Sequence, residues 1–331
     1  MKRPILFSLI LLLATSVEPA HAADLRIATM RLGTSWYVFG ATLYQLLKAE
    51  VPKGTRVEVI AKGGGIGNPI MVNSGKAALG LANVVTSQWA FEGHPDVYKG
   101  KKQSQIRALA GGLNPVWFSA LVRKDYIKKT GNDTLEKILQ SKQPVRIVMK
   151  PRGSTVPVIA DLVFESLGTS RKQILAHRGR ILQVDTKQIP AILRDGRADL
   201  YLDAVPLGHP VLTEVSLTGN VQFLDLPDKT IQFLSQRGMT PSTTPVAYKG
   251  QDRPIKSVDI GTVVIANAKL SDELAYLVTK TLCENASTMA QAHKAWASFV
   301  PSEAGLPENT EIPLHPGAKR YYQEKGWLPQ K

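Results

Sequence analysis

Cysteine is almost absent from this chain, and long apolar runs are confined to its first residues. The 331 residues include a single cysteine, Cys283, so no intrachain disulfide can form. After residue 14 no run of 18 apolar residues occurs, which excludes a polytopic membrane protein. Cys283 lies in a helical pattern and is interpreted as a small core residue. Hydrophobic residues make up 44% and charged residues 21%, which favours a globular protein over a disordered chain or a coiled coil.

Several motifs of enzymes and nucleotide-binding proteins are also absent. The segment KGGGIGN (62–68) lacks the third glycine of a dinucleotide fingerprint, and no G-x-x-x-x-G-K-[ST] occurs. No G-x-S-x-G nucleophile elbow is present. The histidines after residue 22 are widely spaced, without the pairing typical of metal ligands. The sequence therefore predicts no catalytic residue, no metal site and no cofactor.

Positive charge exceeds negative charge. The chain has 41 Lys and Arg against 27 Asp and Glu, a net charge of +14. The positive residues are scattered, without the long arm or stripe typical of nucleic-acid binding, so that partner is not predicted. Attraction of small anions and a solvated surface without a role both remain open.

Residues 1–22 have the form of a signal peptide. Lys2 and Arg3 precede the apolar stretch 5–14, and Ala20-His21-Ala22 fits the small-x-small cleavage rule. We expect cleavage after Ala22 and export, most simply to a bacterial periplasm. The alternative is an uncleaved anchor. A lipoprotein anchor is not expected, because no cysteine lies near the cleavage point.

Strand and helix patterns alternate in two series along the rest of the chain. This alternation predicts an α/β fold with two lobes, each a mostly parallel sheet flanked by helices, and a ligand cleft between them. The chain is expected to cross between lobes near residues 121–124 and again near 256–261. The predicted lobe 1 is therefore discontinuous, residues 23–122 plus 260–331, and lobe 2 is residues 123–259. We expect a monomer.

Three glycine-containing turns separate predicted strands from predicted helices: Gly33-Thr34-Ser35, Gly63-Gly64-Gly65 and Gly153-Ser154-Thr155. Each would present free backbone N–H groups at a helix N-terminus, where the helix dipole favours negative charge. Three such turns converging from two lobes would bind an anion. Ordinary N-capping explains the same hydroxyl residues equally well.

Longer segments carry a family resemblance. The chain resembles the TAXI family, the extracytoplasmic solute receptors of tripartite ATP-independent periplasmic (TRAP) transporters, from Leu25 to Gly326. Its markers are LGTSWYVFGATLYQLL (32–47), KGGGIGNPIMVNSGKAALGLAN (62–83), IRALAGG (106–112), LVRKD (121–125), GSTVPVIADLVFESLG (153–168), AYKGQD (247–252), VVIANAKLSDELAYLVTKTLCEN (263–285) and PLHPGAKRYYQEKG (313–326).

The resemblance implies a type II periplasmic-binding-protein fold without enzymatic activity. Such a receptor captures a small anionic organic solute (a dicarboxylate, a 2-oxo acid or an acidic amino acid) and delivers it to the integral membrane permease subunits of a TRAP transporter. A ligand-binding module that feeds a sensor kinase or an ABC-type transporter is one alternative. An exported enzyme on the same fold is another, although no nucleophile–base or metal constellation is visible in the sequence. The resemblance places the ligand at the same three turns.

The chain departs from the family pattern at several site positions. Members commonly carry a hydroxyl where this chain has Gly65, and a polar-plus-acidic pair where it has Val84-Val85, which leaves Asn83 as the polar candidate. Positive side chains at 62 and 152 suit a ligand without an ammonium group, although solvated rim charge fits them equally well. The predicted ligand-binding residues are Gly33, Thr34, Ser35, Tyr37, Lys62, Gly63, Gly64, Gly65, Asn83, Arg152, Gly153, Ser154, Thr155 and Asp203.

Overall fold

The computed structural model describes residues 24–330, so the predicted signal peptide lies outside the described residues. This part of the chain forms two sheets flanked by helices, which confirms the predicted α/β class. The strands are β1 (Asp24–Ala28), β2 (Arg56–Ile60), β3 (Leu79–Ala82), β4 (Ile106–Ala110), β5 (Trp117–Arg123), β6 (Arg146–Met149), β7 (Arg180–Gln183), β8 (Leu200–Val205), β9 (Val221–Leu224), β10 (Thr240–Thr244), β11 (Ile255–Asp259) and β12 (Val263–Asn267).

Helices connect most of the strands and cover the sheets. Among residues 24–330, no helix combines the length and apolar character needed to cross a membrane. The α-helices are α1 (Ser35–Glu50), α2 (Gly67–Asn73), α3 (Val84–Glu92), α4 (Pro95–Tyr98), α5 (Lys124–Thr130), α6 (Leu135–Gln140), α7 (Val156–Ser166), α8 (Arg171–Ala176), α9 (Ile189–Arg194), α10 (Pro210–Thr218), α11 (Asp228–Ser235), α12 (Asp272–Glu284), α13 (Ala286–Ala292), α14 (Pro307–Thr310) and α15 (Pro316–Glu324).

The two sheets are mixed, not mostly parallel as the sequence predicted. The first sheet has the order β2-β1-β3-β12-β4, and the second contains the corresponding series β7-β6-β8-β5. Pairing is parallel within β2-β1-β3 and β7-β6-β8. Strand β12 is antiparallel to both of its neighbours, β3 and β4, and β5 is antiparallel to β8. These two strands enter directly from the other sheet rather than through a helical crossover, so they run against their neighbours.

The chain passes between the sheets twice, in two adjacent segments. The first passage lies between β4 and β5, so residues 117–122, which the sequence assigned to lobe 1, belong to the second sheet. The second passage lies between β11 and β12. The passages hydrogen bond to each other: Ile260 N–H donates to Val116 O at 3.0 Å, and Thr262 N–H to Asn114 O at 3.1 Å. Paired connections of this kind suit a hinge.

The helix α1 shows how the sequence builds the layer that covers the first sheet. Phe39, Leu43 and Leu47 recur every four residues and are each at most 2% exposed. That spacing places all three on one helix face. Phe39 stacks on Trp296 with ring centroids 4.0 Å apart. Cys283 lies in α12 within the same apolar cluster, and burial raises the pKa of its thiol to about 12.

Three buried histidines cap helical segments through a neutral ring nitrogen. The Nδ1 atoms of His209, His293 and His315 accept backbone N–H groups of Leu212, Ala295 and Gly317 at 3.1–3.3 Å. Burial lowers the pKa of all three rings, that of His293 to about 4. Protonation would add a buried charge and remove the capping acceptor.

We therefore expect the free energy of unfolding to fall as the pH drops from 7 to 5. The unfolded chain takes up protons below its histidine pKa of about 6.5, whereas the folded chain resists protonation until lower pH. His293 alone should contribute about 1–2 kcal/mol over this range. Urea unfolding at both pH values measures the loss. His293→Asn, which retains a capping side chain, should reduce it; an unchanged pH dependence would contradict this assignment.

Candidate functional site

Three turns come together where parallel strands of the two sheets end. Residues 31–35 follow β1, residues 61–66 follow β2, and residues 150–155 follow β6. The backbone N–H groups of Ile66 and Gly67 both donate to the carbonyl oxygen of Gly153, at 3.1 and 3.2 Å. The carboxyl ends of parallel strands form the usual ligand crevice of open α/β sheets. The glycine-rich turn of the first sheet thus contacts the Gly-Ser turn of the second.

The side chain of Asn68 holds the glycine-rich turn in place. Asn68 is fully buried, and its amide donates to the carbonyls of Thr29 at 3.1 Å and Leu81 at 2.7 Å. Its Oδ1 accepts from the N–H of Gly64 at 3.1 Å. Gly63 and Gly64 have φ values of 104° and 136°, which side-chain residues rarely adopt. The KGGGIGN segment therefore fixes a specific turn geometry.

Gly65 lies at a point where the turns of the two sheets approach each other closely. The Thr155 hydroxyl donates to Asn83 Oδ1 at 2.7 Å, directly beside Gly65. A Cβ atom at position 65 would lie 1.9 Å from Thr155 Oγ1 and 2.5 Å from Asn83 Oδ1. The absence of a side chain at this position, noted as a departure from the family pattern, is therefore matched by a hydroxyl supplied from the opposite turn.

A cavity of about 30 Å³ lies among these turns. It is large enough for about two water molecules. Residues from both sheets and from one passage between them line it: Met30, Thr34, Ser35, Trp36, Gly65, Asn83, Val116, Lys150, Ser154, Thr155, Val156, Ala204, Pro206 and His209.

Unsatisfied donors surround the cavity. The backbone N–H groups of Ser35, Trp36, Gly65 and Thr155 have no acceptor among the described residues. The hydroxyl of Ser35 is likewise buried without a partner there. Ser35 and Trp36 form the first turn of the 16-residue helix α1, where the helix dipole adds positive potential. A buried donor without an acceptor costs free energy, and an anionic oxygen in the cavity would supply the missing acceptor.

Lys150 adds a buried cation on the second-sheet side. It is the residue that follows β6, 3% exposed, and its ammonium lies 2.7 Å from Asp203 Oδ1. It also donates to Ala204 O at 3.2 Å. Asp203 is fully buried beneath it and accepts hydrogen bonds from the Tyr201 hydroxyl and the Ala204 N–H. This network fixes the ammonium at the cavity wall.

His209 lies beside this ammonium. Its Nε2 is 3.4 Å from Lys150 Nζ. Because Nδ1 accepts the capping N–H of Leu212, the proton of the neutral ring resides on Nε2. Burial, then the charge of Lys150, holds the pKa of His209 well below its ordinary value. Two donors therefore face each other at the cavity wall.

The structure brings together some of the predicted site residues and separates others. Thr34, Ser35, Gly65, Asn83, Ser154 and Thr155 line the cavity, and Gly63, Gly64 and Gly153 shape its turns. Gly33, with φ 92°, lies in the turn before α1. Lys62 and Arg152 are exposed and do not line the cavity. Neither does Tyr37, because Trp36 takes the inward position one residue earlier on the helix.

Asn68, Lys150 and His209 were not selected from the sequence. The signal for Lys150 was a single lysine at the end of an apolar strand, immediately before the Gly-Ser turn. His209 precedes Pro210, a proline at the first position of α10, which marks a helix start but not a cavity wall. Asp203, which was selected, does not line the cavity; it forms an ion pair with Lys150.

Several solved structures resemble this chain over most of its length. MatC (Rpa3494) from Rhodopseudomonas palustris, solved with bound malate, is 12% identical with a TM-score of 0.55, over 93% of this chain and 98% of that chain. A protein from Bordetella bronchiseptica RB50 is 14% identical with a TM-score of 0.50, over 93% and 90%. The alkanesulfonate-binding protein SsuA from Xanthomonas axonopodis pv. citri, bound to MOPS, is 15% identical with a TM-score of 0.45, over 94% and 86%.

At these identities the similarity concerns the fold. The family assignment comes from a separate match, in which the family model covers residues 27–326, nearly all of the part that the structure describes. The chain belongs to the NMT1-like family.

Proposed function

We propose that this protein is an exported receptor that captures a small organic anion between its two sheets. The observation that carries the proposal is the set of unpartnered donors around the cavity: the N–H groups of Ser35, Trp36, Gly65 and Thr155 and the hydroxyl of Ser35. A carboxylate would accept these hydrogen bonds and interact favourably with the N-terminus of α1. MatC, which has a similar fold, was solved with an anion of this class, malate.

Capture would proceed by closure of two lobes, each consisting of one sheet and its helices. The paired passages 111–116 and 260–262 are the proposed hinge. The closed form is held by Ile66 and Gly67 on Gly153, and by Arg31 and Asp185, whose charged atoms are 3.2 Å apart. A solute that contacts both lobes shifts the equilibrium towards closure. Because the cavity of about 30 Å³ has room for only about two water molecules, the turns lie further apart around a larger bound solute than they do here.

Replacement of Ser35 by alanine is expected to weaken solute binding about tenfold without lowering stability. The variant loses one hydrogen bond to a charged group, while the unliganded protein loses only a buried hydroxyl that has no partner among the described residues. Ser87→Ala is the matched control, because Ser87 is also buried with an unpartnered hydroxyl but does not line the cavity. Equal affinities of the two variants would remove Ser35 from the site.

The proposed function is tested by a thermal-shift panel on protein unfolded and refolded to remove bound solute. The panel contains dicarboxylates, 2-oxo acids, amino acids, aromatic acids and sulfonates. A ligand at 100 times its Kd adds about 2.7 kcal/mol, which corresponds to a rise of about 5 °C in Tm for a chain of this size. Stabilisation by organic anions supports the receptor. No shift with any anion would contradict anion capture.

We further propose that the receptor serves a TRAP-type permease, as the TAXI-like segments 32–47 and 263–285 imply. An ABC-type transporter or a sensor kinase is the alternative partner. The genes beside this one distinguish them: large integral-membrane permease subunits of the TRAP type support the proposal, whereas an ATPase subunit or a histidine kinase would replace it.

A further inference from the structure

Lys150 and His209 form a second point of attachment within the cavity. We infer that this pair binds a second carboxylate, so that the solute is a dicarboxylate without an ammonium group. This inference rests on the proposed function, because it specifies which organic anion the cavity holds.

The first argument is the unmet hydrogen bonding of the pair. Of the three ammonium hydrogens of Lys150, one meets Asp203 and one meets Ala204 O. The third faces His209 Nε2, which carries its own proton, at 3.4 Å. Both residues are at most 3% exposed and both line the cavity. An anionic oxygen on the cavity side of the two groups, within hydrogen-bond distance of both, would accept from each.

The second argument is that the two donor sets belong to opposite sides of the cavity wall. The N-terminus of α1, with Ser35, comes from the first-sheet side. Lys150 follows β6, and His209 caps α10, both on the second-sheet side. A solute with one acidic group would satisfy one set and leave the other without an acceptor. A solute with two acidic groups joins the two sides, as closure requires.

The third argument concerns charge. None of the described residues that line the cavity is acidic. Asp203, which contacts the lining residue Lys150, is fully buried and already receives hydrogen bonds from Tyr201 and Ala204 as well as the charge of Lys150. The oxygen of Asp259 that contacts the lining residue Val116 already accepts two backbone N–H groups. An ammonium group in the cavity would therefore find no free carboxylate, and its desolvation would be uncompensated. Acidic amino acids are disfavoured for this reason.

Isothermal titration with three four-carbon acids tests the inference. Succinate has two carboxylates, butyrate has one, and L-aspartate is succinate with an added ammonium. We expect succinate to bind about 10- to 100-fold more tightly than either of the others. Butyrate binding as tightly as succinate would overturn the second carboxylate site while leaving anion capture intact. Aspartate binding as tightly as succinate would overturn the exclusion of ammonium.

The variant His209→Asn tests whether His209 forms part of the second carboxylate site. Asparagine retains the helix cap but is too short to place a donor beside Lys150. Succinate affinity should fall about tenfold or more, whereas butyrate affinity should be unchanged. His293→Asn is the matched control, since His293 caps its segment in the same way outside the cavity. Equal losses for both acids in His209→Asn would overturn the assignment. Absence of binding by every acid to the unaltered protein would overturn the proposed function and this inference together.

Discussion

Replacement of Gly65 by alanine is expected to lower solute affinity at least 100-fold while both sheets remain folded. The added Cβ would lie 1.9 Å from Thr155 Oγ1 and 2.5 Å from Asn83 Oδ1, so these two side chains would have to rotate away or the turns would have to separate. Either movement breaks the hydrogen bond between Thr155 and Asn83 across the cleft. The closed form, in which all donors reach one solute, would no longer be accessible; this loss corresponds to about 3 kcal/mol of binding free energy.

Gly67→Ala provides the control for this variant. A Cβ at Gly67 would meet nothing nearer than the Gly153 carbonyl oxygen at 3.8 Å, an ordinary contact. Titration of the solute identified in the thermal-shift panel against both variants measures the difference, and circular dichroism confirms folding. An affinity of Gly65→Ala equal to that of Gly67→Ala would show that the tight approach between the turns is unnecessary for binding.

Replacement of Lys150 by methionine is expected to destabilise the unliganded protein by about 3–5 kcal/mol. The substitution leaves the carboxylate of Asp203 fully buried without its cationic partner. The Tyr201 hydroxyl and the Ala204 N–H remain, but they do not neutralise the charge. Tm should fall by about 6–9 °C.

The double variant Lys150→Met with Asp203→Asn separates stability from binding. Asparagine carries no charge, its oxygen can still accept from the Ala204 N–H, and its NH2 group can donate to the Tyr201 hydroxyl, so most of the lost stability should return. Solute affinity should stay low, because the ammonium is still missing. Full recovery of binding in the double variant would show that Lys150 supports the fold alone. Equal melting temperatures of the single variant and the wild type would contradict the buried ion pair.

The local sequence was sufficient to identify the turns but not the two residues, Lys150 and His209, that the second sheet adds to the cavity wall. Glycines followed by hydroxyl residues between a strand and a helix mark a turn that ends at the sheet edge, so Ser35 and Thr155 could be selected by pattern. Lys150 and His209 are 59 residues apart, and their approach depends on the pairing of β6 with β8, the strand that leads into the turn before α10. No local pattern encodes that distance.

The basic residues near the turns also show how little the local sequence says about which side chains face the cavity. Arg152 and Lys62 were selected as positive residues that depart from the family pattern beside the glycine turns, but both side chains are exposed. Lys150, two residues before Arg152, points instead towards Asp203 and the cavity. Proximity in sequence to a turn does not determine which side chain faces inward. Likewise, the antiparallel strands β5 and β12 arise from the double passage between sheets, which strand patterns alone do not reveal.

The contact between Gly153 and residues 66–67 is made entirely by backbone atoms. Substitutions of the lining side chains therefore leave its donors and acceptor in place. Under the proposed function, point mutations around the cavity would exchange one solute for another in evolution without rebuilding the contact by which the halves meet. The same separation would suit a biosensor scaffold, in which a reporter detects the proposed closure and the lining residues are varied to choose the analyte.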